Sequence, residues 1–495
     1  MTNISRRGIL KGTLTAAAGI GALSVLPGMT ADADAQVQKD ASYDLIIVGC
    51  GCAGMVCAIR ASELGLRPVI IEKMPSPSGN TVYSGGILLG VNTKAQTEQN
   101  KNTSDTVDKF YEDLMIVSQQ RGDKVMTRYF AEHCSEALNW LSDSIGIKWM
   151  NIVTEVFPAY ERSHVVDGPS KPSGSQLAKQ LMQAVNDRRI PVLFNTKVVA
   201  LAGTESLEVT GVKTVSKEGT KSFIARYGVV ISTGGFHANN EMVTSQMGGW
   251  AANMPIRGSK IISGENFTLT RPFFPKFVNT DQFHAGPIHG PTGANPSIMV
   301  NYGILVTGDG VRYIDEVNTY VRVAKETAKT VKGNWAFIIM DSEPRGISTV
   351  EERFARYSRA KAPIYEGASI KELAAKANIN ATNLEKTVSE YNKAVKNKTA
   401  ERLTPPNTLS APRSVVKGPF YAIPFQGGMT ATFGGPLVNV KTQVINTENQ
   451  PIEGLYAIGN SVGGIFYDDY IVGAQLTSAA VFGRVCAEEI AKKRG

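Results

Sequence analysis

A chain of 495 residues with 42% hydrophobic and 19% charged side chains has the make-up of a folded globular protein, long enough for two domains. That balance excludes disordered, collagen-like and coiled-coil classes. The formal net charge is +8. Lysine and arginine are scattered rather than massed, which excludes a nucleic-acid-binding face.

The N-terminus carries a twin-arginine export pattern, Ser5-Arg6-Arg7-Gly8-Ile9-Leu10-Lys11, followed by an Ala/Gly-rich apolar run to Leu26. Ala33-Asp34-Ala35 offers the small residues a signal peptidase reads, so residues 1–35 are expected to be a signal peptide and Gln36 the mature start. The run is too short to span about 30 Å of hydrocarbon, and Pro27 breaks it. No later segment has the length of a transmembrane helix, so the expected location is the periplasm, reached through the twin-arginine export machinery. Of the five cysteines, Cys50, Cys52 and Cys57 cluster in one segment, and no Cys-x-x-Cys-His supplies a haem of the chain's own.

Asp-Leu-Ile-Ile-Val-Gly at 44–49 reads as a buried parallel strand. It enters Gly49-Cys50-Gly51-Cys52-Ala53-Gly54, then a helix to about Gly65 and a second strand, Pro68–Ile71, ending at Glu72 and Lys73. This β-α-β setting makes the GxGxxG specific for a dinucleotide. Gly49 serves the tight turn, Gly51 the approach of a pyrophosphate, and Gly54 the packing of helix on strand. Glu72 is placed for the ribose hydroxyls. A second glycine loop follows, with Asn80, Thr81, Ser84, Gly85 and Gly86. Val229–Ile231 leads into Ser232, Thr233, Gly234 and Gly235; Gly454–Ile458 leads to Gly459 and Asn460; Gly473, Ala474, Leu476 and Thr477 open a last helix. Contact segments spread over the whole chain, with Val198 between them, suit extended FAD rather than NAD alone. Residues 251–412 change character. Gly/Pro-rich loops at 257–296 hold His284 and His289, Gly303–Glu316 reads as a hairpin, and 350–397 reads as a helical tract.

Taken together, the GxGxxG…E, SGN-T…SGG, STGGF and GLYAIGN segments resemble the flavoprotein family of soluble fumarate reductases, urocanate reductase and 3-ketosteroid Δ1-dehydrogenases, over residues 42–495. The resemblance implies an α/β fold: a Rossmann-type, three-layer ββα FAD-binding domain (42–250 and 413–495) with an inserted α+β capping domain (251–412). Substrate would lie between them. Thr81–Gly85 holds no histidine of the kind that carries covalent flavin in the succinate dehydrogenase branch, so FAD is expected to be non-covalent.

The resemblance also shows departures. Fumarate reductases place a proton-donating arginine where this chain has Tyr320, with Arg322 two residues on. A substrate-holding histidine is matched by Ala431, and a carboxylate-clamping arginine by Tyr470. Losing three cationic positions argues for a neutral substrate, or one with a single carboxylate met by Arg322, His284 or His289. The ketosteroid branch resembles the two-tyrosine arrangement, so Tyr320 is expected to move the proton and Tyr470 to polarise the activating group. Tyr467, Asp468 and Asp469 share the Tyr470 loop. His284 and His289 lie near the family's His-Pro-Thr, and either suits substrate contact; no metal cluster accompanies them. The implied activity is a reductase of an activated alkene, fed by an external cytochrome or flavodomain. The alternatives are a ketosteroid-like desaturase and a flavin protein that only relays electrons.

Overall fold

Residues 42–101, 104–153 and 160–494 are described by the computed structural model; the expected signal peptide lies outside them. The apolar run Ser42–Val48 forms the central strand of an eight-stranded sheet. It pairs in parallel with Pro68–Ile71 on one side and Gly219–Ile231 on the other. Leu45, Ile46 and Ile47 are fully buried, as a strand covered on both faces requires. Val192–Leu193 and Pro451–Ala457 extend the parallel part, while Lys197–Gly203 and Val209–Ser216 form an antiparallel meander onto Gly219–Ile231. The helix Cys52–Glu63 packs against the last helix, Ala474–Ala491.

A second sheet is wholly antiparallel, in the order Phe283–Ile288, Phe420–Thr432, Ala336–Met340, Ile304–Thr307, with Tyr365–Gly367 also on Phe420–Thr432. Phe420–Thr432 is its long central strand, so the chain rejoins the first sheet only at Gln443–Ile445 rather than at 413. The helical tract is three helices, Ser348–Arg359, Ile370–Ala377 and Ala381–Lys396, interrupted by Tyr365–Gly367. In the stretch read as a hairpin, Ile304–Thr307 makes a single bridge to Arg312, and its ladder partner is Ala336–Met340.

A helix covers the second sheet, and two side-chain bonds tie that sheet to the first. The helix Tyr320–Thr330 lies on Phe420–Thr432 at Gly427, where an added Cβ would sit 1.9 Å from the Ala324 carbonyl oxygen. Thr432 Oγ1 accepts from Phe236 N, and Asn80 Nδ2 donates to the Thr430 carbonyl.

Candidate active site

A continuous cavity of about 1540 Å³ runs from the C-terminal ends of the parallel strands to the second sheet. Open α/β sheets bind ligands at this end. One half is a cradle for an extended ligand. Gly49 (φ +109°) makes the turn, and a side chain there would strike the Ser232 carbonyl at 2.6 Å. At Gly51 an added Cβ would meet only Thr81 Oγ1, at 3.9 Å, and at Gly79 nothing within 4 Å. The protein leaves these backbones bare toward the cavity. The N-cap of the helix that begins at Cys52 is Gly51, with no capping side chain, and Thr81 Oγ1 accepts from Cys52 N at 3.0 Å, so the positive end of the helix faces the same space. Glu72, buried at the end of the second strand, accepts from Cys50 N at 2.8 Å and Met74 N at 2.9 Å. That fixes its carboxylate at the rim.

Of the cofactor positions expected from sequence, Gly49, Gly51, Ala53, Glu72, Lys73, Asn80, Thr81, Ser84, Gly85, Val198, Thr233, Gly234, Gly459, Asn460 and Leu476 line the cavity. Gly54, Gly86, Gly235, Ala474 and Thr477 lie behind it. Gly54 allows the close packing: its Cβ would fall 2.2 Å from the Gly49 carbonyl oxygen. Gly86 makes room for the Ser173 backbone and Gly235 for the Thr432 hydroxyl. Thr477 Oγ1 accepts from Leu89 N and donates to the Gly473 carbonyl, which anchors the last helix. Lys73 is tied to Glu265 and to the Ile261 carbonyl.

The other half of the cavity is built around three hydrogen-bonding rings, Tyr320, His284 and Tyr470. Tyr320 opens its helix behind the N-cap Thr319, whose hydroxyl donates to Asp469 Oδ2. The Tyr320 hydroxyl lies 3.3 Å from His284 Nε2 and is hydrogen-bonded to the Tyr470 hydroxyl. The His284 and Tyr470 ring centres are 4.4 Å apart. Burial, then the charges of Arg257 and Lys325, hold the His284 imidazole well below its usual range. Burial and Tyr320 push the Tyr470 phenol up. The His284 imidazole and the Tyr470 phenol therefore face the cavity uncharged at neutral pH, beside the Tyr320 hydroxyl. Ala431, opposite His284 in the strand register, leaves no second imidazole there.

The expected cations take different places. Arg322 lies off the cavity, with its side chain 40% exposed and its Nε 3.3 Å from Asp468 Oδ2. His289 also lies off it, with Nδ1 against Thr292 Oγ1 and its ring beside Trp335 and Tyr357. Asp468 receives Arg322 and Lys325, and Asp469 Oδ1 accepts from Tyr470 N, so these carboxylates brace the Tyr470 loop.

The cavity nevertheless holds positive charge that no motif marks, with Lys171, Lys197, Arg356 and Arg359 lining it beside Arg257 and Arg353. Arg257 lines it and sits 5.8 Å from the Tyr320 ring centre, with Nη1 donating to Thr430 Oγ1 at 2.9 Å. Thr430 falls where the strand register shifts between His284 and Ala285, a bulge that re-aims its side chain. Arg353 lines the cavity from the helix Ser348–Arg359. Tyr320, Ala431 and Tyr470 supply no cation, but Arg257 and Arg353 do. The charge is supplied from a loop and a helix instead.

The sequence profile of the FAD binding domain family matches residues 44–468. The chain belongs to that family. It is an FAD-dependent oxidoreductase, and the bare glycines, the positive helix end and Glu72 fit the cofactor. The NADH:fumarate oxidoreductase of Klebsiella pneumoniae (strain 342) is 29% identical over 461 residues, covering 91% of this chain and 48% of that protein. The chain thus spans about half the length of that relative. Among solved structures, an open flavocytochrome c3 fumarate reductase superposes with TM-score 0.77 at 24% identity, over 92% of this chain and 78% of the other. The 3-ketosteroid-Δ4-(5α)-dehydrogenase from Rhodococcus jostii RHA1 does so with TM-score 0.74 at 22% identity, over 91% and 97%. Both share the fold.

The buried histidines make stability depend on pH. Burial lowers His164 and His237 to about 4, and His284 also falls. In the unfolded chain each binds its proton near pH 6.5, so between pH 6.5 and 4 the unfolded state holds more protons and stability falls with falling pH. The expected slope is about 1.4 kcal/mol per pH unit for each such histidine. Thermal unfolding from pH 7.5 to 4.5 measures it, and a flat profile contradicts the neutral assignment.

Proposed function

We propose that the chain is an exported alkene reductase. It reduces the C=C bond of a small substrate activated by a carbonyl, carboxylate or aryl group, with electrons from a separate cytochrome or flavodomain protein. The observation that carries this reading is the hydrogen-bonded Tyr320–His284–Tyr470 cluster in the same cavity as the cofactor cradle. FAD, bound non-covalently, supplies the hydride. Tyr320 gives the proton to the carbon nearer the activating group, and Tyr470 donates a hydrogen bond to that group. His284, hydrogen-bonded to Tyr320, orients its hydroxyl. Among described residues no helix is long and apolar enough to cross a membrane. Export rests on Arg6 and Arg7 in the leader pattern.

Fumarate is not the favoured substrate on this reading, because the rings at 320 and 470 carry no charge for a second carboxylate. A ketosteroid-like desaturase is the second reading. Arg257 beside the Tyr320 ring is the positive charge a phenol needs to act as a base. Anaerobic assays of the FAD-loaded protein on fumarate, aryl acrylates and cyclic enones, with reduced viologen, are expected to consume an acrylate or enone faster than fumarate. The same panel of saturated compounds with a dye acceptor is the control. Activity with the dye alone overturns the reductase reading and leaves the desaturase; rapid fumarate turnover overturns the substrate assignment.

A further inference from the structure

Taking two guanidinium groups out of water is costly unless something meets their charge. Arg257 and Arg353 both line the cavity, and among the described residues neither has a carboxylate within ion-pair distance. The protein satisfies them only in part. Arg257 donates to Thr430 Oγ1 at 2.9 Å and distantly, at 3.5 Å, to Ser297 Oγ; its Nε is buried without a partner. Arg353 Nε is likewise buried and unpartnered. The neighbouring Arg356 is different, since Glu352 accepts from it at 2.6 Å.

The setting of Arg257 is built rather than incidental. Its guanidinium is held between the Tyr320 ring and Gly286, where an added Cβ would lie 2.7 Å from Cζ. A glycine in the strand Phe283–Ile288 therefore makes the space that Arg257 occupies. Burial, with Arg356 and Arg257 nearby, brings Arg353 down to about 10, so it too is charged at neutral pH. Arg257 lies beside Tyr320 and its charge also reaches His284 and Tyr470, and Arg353 is near both Arg257 and Tyr320, so the two cations gather by the ring cluster. An anionic group beside Tyr320 fits this distribution.

We infer that Arg257 and Arg353 form an anion site that takes the single carboxylate of the substrate, making it an alkenoate with a neutral remainder. The identity of the ligand as an alkenoate rests on the reductase reading above; the anion site itself does not. Guanidinium is suited to the task because its planar donors match a carboxylate and stay charged. The carboxylate held beside Tyr320 places the adjoining carbon next to the proton donor.

The test is calorimetric titration of the oxidised, FAD-loaded protein with acrylate and cinnamate and with the matching amides, acrylamide and cinnamamide. At least one acid is expected to bind tenfold or more tightly than its amide. Arg257→Gln and Arg353→Gln should each cut that preference at least fivefold, with amide affinity and flavin content unchanged. Arg257→Lys, which keeps the charge, should retain part of it. If Arg257→Gln does not fold, Arg353→Gln carries the test from its place on a helix. Equal binding of acids and amides, no binding of either acid, or loss of flavin in the folded variants overturns the site. Acid-selective binding abolished in the variants, but without reduction of the bound acid by reduced viologen, upholds the site and overturns the reductase reading instead.

Discussion

Replacing Tyr320 with phenylalanine is expected to lower kcat by roughly 10²-fold while KM moves by no more than about threefold. The ring packing survives, because phenylalanine keeps the contact with His284 and with the Arg257 guanidinium. What goes is the hydroxyl that lies 3.3 Å from His284 Nε2 and bonds to Tyr470. His284, held neutral by burial, then has no hydroxyl between it and the cavity, and Tyr470 loses its partner. General acid catalysis by a positioned side chain is worth about this much, and uniform binding is untouched, so the loss belongs in kcat. The measurement is steady-state reduction of the best acceptor found in the viologen assay, alongside Tyr470→Phe and Arg322→Ala. Arg322→Ala is expected to leave kcat within about twofold, since its guanidinium faces Asp468 away from the cavity. Unchanged turnover in Tyr320→Phe leaves only an electron-relay role for the flavin. A loss in Arg322→Ala equal to that in Tyr320→Phe moves the proton donor to the arginine.

Residue spacing separates Tyr320 from Arg322 once the helix Tyr320–Thr330 is known, although both stood as site candidates in the sequence. Residues two apart on a helix point about 200° away from each other, so once one faces the cavity the other cannot. The same holds for His284 and His289. An odd spacing of five along extended chain sends them to opposite sides, and only His284 reaches the cavity. The β-α-β unit and its glycines were readable, because each apolar run and each turn obeys a local rule. Arg257 and Arg353 had no such signal. They gain their meaning from a glycine at 286, a bulge at Thr430 and a helix from a different part of the chain, all of which are tertiary facts. The place where the chain rejoins the first sheet was misread for a related reason. Phe420–Thr432 is an apolar strand like those of the parallel sheet, and only its antiparallel partners assign it elsewhere.

The strongest effect on the cofactor half is expected from Gly51→Val. A Cβ at this position meets nothing closer than Thr81 Oγ1 at 3.9 Å, so the protein itself tolerates the substitution. The two methyl groups, however, enter the space over the N-terminus of the helix Cys52–Glu63, where a pyrophosphate must approach the backbone. The variant is expected to fold with unchanged far-ultraviolet circular dichroism yet hold less than about a tenth of the wild-type flavin. Gly54→Val is the contrasting control. Its Cβ falls 2.2 Å from the Gly49 carbonyl oxygen and 2.7 Å from Ser232 Oγ, a collision of backbone with backbone that no side-chain rotation relieves. That variant should lose stability first and flavin as a consequence. Acid precipitation of the wild-type protein should leave its flavin in the supernatant, as expected where Thr81–Gly85 offers no histidine for attachment. Full flavin occupancy in Gly51→Val moves the pyrophosphate off this helix end, and the cradle with it.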